Sequence, residues 1–150
     1  MTTTRLSSSP VSAATLLGGV EVLHAQPRAV MDWIPLVRRG LPAASVEAIT
    51  RLTRIAQSEL ARALAIPERT LARRKREGLL SAEESAKFVR FARVVERAEG
   101  VFEDGVPALA WLKTENPALG NVTPLSLLDT DLGADSVLDT LGRIEHGVFA

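Results

Sequence analysis

The run SAEESAKFVRFARVVERAEGVF, starting at Ser81, constrains this chain more than any other stretch. Ser81 followed three residues later by Glu84 is a capping box, in which each residue satisfies a backbone N–H that the first helical turn leaves free. Beyond it, Phe88, Phe91 (or Ala92), Val95 and Ala98 fall at helical spacing and form one apolar stripe. The pattern predicts a long helix from Ser81 to Glu99. Leu, Ala, Val and Ile supply most of the apolar content, and there is no Tyr, a mixture that favours helices over sheets. We therefore expect an all-α fold.

Just upstream lies QSELARALAIPERTLARRKREGLL. Ser58 reads as an N-cap for a helix through Ala65, and Pro67 blocks its continuation while suiting the start of the next helix. Two short helices joined by a tight turn form a helix-turn-helix pattern. With Leu71 anchoring the second helix, 100° per residue puts Arg69, Arg73 and Arg76 on its far side, and Arg74 and Lys75 beside the buried face. Such a row suits a recognition helix in a major groove. Arg69, Thr70 and Arg73 are the candidates for base edges, and Arg74, Lys75 and Arg76 for phosphates. A solvated basic face gives the same row. The apolar frame of Leu60, Ala61, Leu64, Ile66 and Leu71 favours DNA. The turn has Ala65 where many such motifs have Gly, which leaves open a degenerate module that only dimerises.

The remaining stretches read as short helices. VSAATLLGG stops at the Gly18–Gly19 pair. MDWIPLVRRGLP stops at Gly40 and Pro42, with Trp33 in the core. Val46, Ile49 and Leu52 space a further helix. After Gly100, three or four more follow, with Pro107 and Pro124 in first turns and Thr123 as an N-cap. In the last helix Val137, Leu141, Ile144 and Val148 mark the buried face, leaving Arg143 and His146 to point elsewhere. We divide the chain into a disordered or weakly ordered segment 1–22, a helix-turn-helix DNA-binding and dimerisation region 23–99, and a C-terminal domain 100–150.

Charge divides the chain in the same way. Up to Arg97 there are 16 Lys/Arg against 9 Asp/Glu, a balance of +7; from Ala98 onward 2 basic residues face 9 acidic ones, a balance of −7. A basic half suits phosphates, and an acidic half does not compete for them.

The residues for catalysis are missing. Without Cys there are no disulfides, thiolate ligands or thiol nucleophiles. His24 and His146 are the only histidines, and Glu145 and His146, as neighbours on a helix, point about 100° apart. Asp129, Asp131 and Asp135 lack the bidentate Glu of a calcium loop and read as first-turn acids favoured by the helix dipole. HExxH, GxSxG and GxGxxG are absent. We expect no enzyme, metal or cofactor. The opening MTTTRLSSSP lacks the marks of a signal peptide, and no apolar run approaches a membrane span, so the expected location is the cytoplasm.

Several stretches together resemble a family: LARALAIPERTLARRK, AKFVRFARVVERAEGVF and AWLKTENPALGNVTPLSLLDTDLGADSVLDTLGRIEHGVFA are similar to Xre-type antitoxins that accompany RES-domain toxins. The likeness runs from about Met31 to Ala150. Its most specific part is Trp111, Asn116–Pro117, Leu119–Gly120, Thr123–Pro124–Leu125, Leu128 and GRIEHGV. The resemblance implies a DNA-binding region that represses its own operon and a helical C-terminal domain that captures the toxin. It further implies a toxin that degrades NAD, an antitoxin end that blocks the NAD pocket, and antitoxin dimers within larger complexes.

On that reading the tail, Arg143, Glu145, His146, Gly147, Val148, Phe149 and Ala150, contacts toxin: Arg143 bonds an acidic or carbonyl group, Phe149 fills an apolar slot and the terminal carboxylate meets a cation. Folding back of Phe149 on its own domain is the competing reading. Phe88, Phe91 and Val95 would serve the dimer wherever they stay exposed. The alternatives are a helix-turn-helix regulator with an oligomerising C-terminal domain and no toxin partner, and an interaction module without a DNA role.

Overall fold

The computed structural model describes residues 11–147, and these are helical, with no β-strand among them. Helix α7, Ala82–Phe102, is the axis of the molecule. Its capping box forms as expected: Ser81 Oγ accepts from Glu84 N (3.1 Å) and Glu84 Oε1 accepts from Ser81 N (2.8 Å). The helix continues past Glu99 because Val101 and Phe102 pack on the core, the ring of Phe102 lying 5.9 Å from that of Trp111. It ends at Glu103, which takes a left-handed conformation (φ 59°).

Around α7 are arranged α1 (Ala13–Leu16), α3 (Val30–Arg39), α8 (Gly105–Leu112) and α9 (Asp131–Glu145). Helix α2 (Gly19–Leu23) leads from α1 towards α4 (Ala44–Thr53), which contacts both. Helices α5 (Gln57–Ala63) and α6 (Glu68–Glu77) form a pair packed on each other. Between α8 and α9 lie two 3₁₀ turns, Pro117–Leu119 and Pro124–Leu127, the second capped by Thr123 as expected. Trp33 is buried, also as expected.

Three expectations are corrected. The segment 1–22 is not uniformly weak. The short helix read in VSAATLLGG is present as α1, α2 follows it, and Leu16, Leu17 and Leu23 are buried in the common core. Helix α1 is held by carboxylates of α7: Glu96 Oε2 accepts from Ala13 N (2.8 Å) and Glu99 Oε2 from Val11 N (3.1 Å). The first satisfies an N–H that a helix start cannot pair internally, and the second holds the residue that precedes the Ser12 cap. Burial raises the Glu99 carboxyl above its ordinary pKa, and Asp104 adds to this against the Val11 hydrogen bond. Gly18 does not only stop α1, because at φ 112° it turns the chain into α2. Residues 1–10 lie outside the described residues.

Ser58 is the second correction. The helix begins one residue before it, with Ala56 as the extended N-cap. The third concerns dimerisation. Phe88, Phe91 and Val95 are each 0% exposed, so this stripe has no surface left for a second chain. It is the core where α7 meets its own neighbours.

Candidate functional sites

The turn between α5 and α6 keeps its geometry without glycine. Ala65 adopts φ 54°, the left-handed region in which Gly is usual. Ile66 N donates to Ala61 O (2.9 Å) and Ala65 N to Arg62 O (3.2 Å), the two bonds of a Schellman ending. Ile66 is buried, and Lys87 Nζ of α7 donates to Ala65 O (3.2 Å). These contacts hold an L-residue where the backbone alone would resist one.

Helix α6 then turns Leu71 inward, fully buried, and Arg69, Arg73 and Arg76 outward, all exposed. Arg73 makes a loose surface pair with Glu77 (3.4 Å), while Arg69 and Arg76 make no ion pair among the described residues. Thr70 is half-buried beside them. The other two basic candidates are engaged within the protein. Lys75 Nζ donates to Gln57 Oε1 of α5 (3.2 Å), and Arg74 bridges Glu84 of α7 (2.8 Å) and Glu77 (3.1 Å). Burial pushes the Glu84 carboxyl up, but the hydrogen bonds from Arg74 and Ser81, with the Arg74 charge, outweigh it and hold it below its ordinary value.

The second surface is the C-terminal domain. Thr130 caps α9 by accepting from Gly133 N (3.0 Å), a cap not read in the sequence. Val137 and Leu141 are fully buried and Ile144 half-buried, so the expected buried face is present as far as the described residues run. Arg143, His146 and Gly147 are exposed. A cleft of about 380 Å³ opens along α9, with Leu119 and Leu127 on one side and Ser136, Asp139, Thr140 and Arg143 on the other. Val148, Phe149 and Ala150 lie outside the described residues.

Glu145 is placed differently from its neighbours in the tail. Its two oxygens accept from the two terminal nitrogens of Arg97 on α7, at 2.8 and 2.9 Å. This fork-to-fork pair is directional as well as attractive, and the Arg97 hydrogen bonds lower the Glu145 carboxyl below its ordinary pKa. Two turns back on the same side of α7, Arg90 pairs with Asp131 and donates to Leu128 O (3.0 Å). Sequence reading missed Arg90 and Arg97. The available signal was two arginines seven residues apart on one side of α7, with acids at both ends of α9. These two pairs neutralise part of the division between basic and acidic halves inside the molecule, whereas Lys113–Glu59 (3.5 Å) joins the halves with the signs reversed.

Residues 32–93 match the family model described as an antitoxin Xre-like helix-turn-helix domain, and residues 97–147 match the antitoxin Xre/MbcA/ParS C-terminal toxin-binding domain. The chain is 38% identical to Antitoxin Xre of Yersinia enterocolitica over 116 residues, covering 76% of this chain and 78% of that protein. It is 36% identical to Antitoxin Xre of Photorhabdus laumondii over 117 residues, covering 77% and 79%. A Sphingobium protein named Prs ADP-ribosylating antitoxin is 29% identical over 130 residues, covering 80% and 82%. The chain thus belongs to the Xre/MbcA/ParS family and is the antitoxin of a toxin–antitoxin system.

Proposed function

We propose that this antitoxin neutralises a RES-domain, NAD-degrading toxin by placing its C-terminal tail in the toxin's pocket, and that it represses its own operon through α6. The observation that carries the toxin half is the end of α9. The Arg97–Glu145 pair fixes the last turn while Arg143 and His146 stand free in solvent. An exposed arginine on a rigid mount enters a partner's cleft at little entropic cost. Glu145 serves as the mount rather than as a toxin contact. The roles of Val148, Phe149 and Ala150 remain as read from the sequence, filling the pocket beyond Arg143.

For DNA, Arg69 and Arg73 reach base edges with Thr70, and Arg76 a phosphate. The antitoxin acts in the cytoplasm, as a non-enzyme without cofactor. It forms a homodimer within a larger complex with toxin, through a surface other than the enclosed Phe88 stripe.

The test is cellular NAD and growth when the neighbouring toxin gene is expressed with the intact chain or with one cut after Gly147. This cut keeps Glu145 and its arginine, so the domain stays clamped. Protection by the intact chain alone supports the tail as the plug. Equal protection by both moves the interface to the α9 cleft. Failure of both against a toxin that depletes NAD would refute a RES-domain, NAD-degrading toxin as the partner of this antitoxin.

A further inference from the structure

We infer that Arg74 is a positioning residue for DNA recognition: it sets the tilt of α6 against the start of α7 and does not itself contact phosphate. The inference rests on the DNA-binding reading proposed above.

The sequence alone places Arg74 among the phosphate candidates, yet its surroundings differ from those of the other arginines. Its side chain is 23% exposed and that of Glu84 11%, against 52% for Arg73. Its Nε donates to Glu84 Oε1 at 2.8 Å, and a terminal nitrogen donates to Glu77 Oε2 at 3.1 Å. The same Glu84 oxygen also accepts from Ser81 N, so the capping box that starts α7 and the clamp on α6 share one atom. To reach a phosphate, Arg74 would leave two carboxylates, one of them buried and then without its cation, which is strongly unfavourable.

Nearby backbone bonds fix the other side of this corner. Ala43 N donates to Gly78 O and Leu80 N to Leu41 O, which tie the α6–α7 turn to the start of α4. A Cβ at Gly40 would lie 2.3 Å from Leu80 O, so this approach is as close as glycine permits. The turn is held by backbone, whereas along its length α6 is linked to α7 through Arg74. Tilting α6 about that turn would move Arg69, Thr70 and Arg73 relative to the groove.

The experiment measures binding of the full-length protein to a duplex of its own promoter as a function of salt, for wild type, R74Q, E84Q, the double variant and R76A. Each phosphate contact contributes about 0.9 to the slope of log affinity against log salt. R74Q and E84Q should each weaken binding by about tenfold, the worth of one displaced contact, with the slope unchanged. The double variant should lose no more than either single one, and R76A should lower the slope by about 1.

E84Q is decisive, because it leaves the Arg74 charge in place and removes its buried anionic partner, leaving only the pair with the exposed Glu77. Weaker binding supports positioning, whereas equal or tighter binding overturns it. A slope lowered by about 1 in R74Q also overturns it. If R74Q fails to fold, as read from its thermal melt, E84Q carries the test. Wild-type protein without salt-dependent binding would overturn the DNA reading itself, and is recognised because R76A then coincides with wild type.

Discussion

Replacing Gly133 by alanine would place a Cβ 1.8 Å from the carbonyl oxygen of Leu127 and 2.8 Å from its carbon, where real Cβ atoms essentially never come closer than 3.0 Å. The obstacle is backbone, so no side-chain rotation relieves it. Either the 3₁₀ turn Pro124–Leu127 or the first turn of α9 must withdraw by more than an ångström. Withdrawal of α9 loosens Ala134 and Val137, both buried, and strains the Thr130 cap, whose acceptor bonds to Gly133 N itself. Overpacking of a rigid core costs about 1–3 kcal/mol, and a clash against backbone belongs at the upper end. Alanine recovers about 1 kcal/mol of helix propensity at most. The net loss is about 2 kcal/mol, which at about 2–4 °C per kcal/mol for a chain of this size lowers Tm by about 4–8 °C. Differential scanning calorimetry of the two proteins measures this directly. A fall of less than about 1 °C would show that the turn and α9 separate freely, and would refute the close approach as a determinant of the domain.

Ala65→Gly should stabilise the protein. Relief of the left-handed conformation is worth about 1–2 kcal/mol and the added freedom of the unfolded glycine costs about 0.5–1 kcal/mol, so Tm should rise by a few degrees; the exposed methyl sacrifices no burial. Acid should loosen the α6–α7 corner. The folded pKa of Glu84 is depressed, so its stabilisation is complete above the unfolded glutamate value of about 4.3 and is lost as pH falls through the lower folded value. Thermal melts of wild type and E84Q between neutral and strongly acid pH should therefore converge at the acid end. Arg97→Gln should reduce neutralisation of the toxin while leaving the far-UV dichroism of the free antitoxin intact; unchanged protection would show that the tail needs no fixed mount.

What could be read in the sequence was local. The capping box at Ser81 and Glu84, the Thr123 cap and the apolar spacing of α7 depend on residues within one or two turns, and they appear where expected. The inward Leu71 and the outward Arg69, Arg73 and Arg76 followed from 100° per residue. The failures were nonlocal. Nothing near Ala13 shows that Glu96 and Glu99, more than 80 residues away, will hold α1 in place. The Phe88 stripe read correctly as apolar, but whether such a stripe meets its own chain or a second copy depends on how many helices return to it. Arg74, Lys75 and Glu145 were assigned by charge and position, and their partners within the chain, Glu84, Gln57 and Arg97, could not be read that way.

The continuity of α7 has a consequence for inheritance. The two family matches stop at residue 93 and resume at 97, a gap that in many proteins would be an exposed linker where gene fragments can be exchanged. Here the gap contains Val94 and Val95, both wholly enclosed in the middle of an unbroken helix. A crossover at that point would join half-helices whose enclosed faces had never been fitted to each other. A new toxin specificity should therefore be acquired by changes on α9 and the tail, with the helix that carries both faces inherited whole.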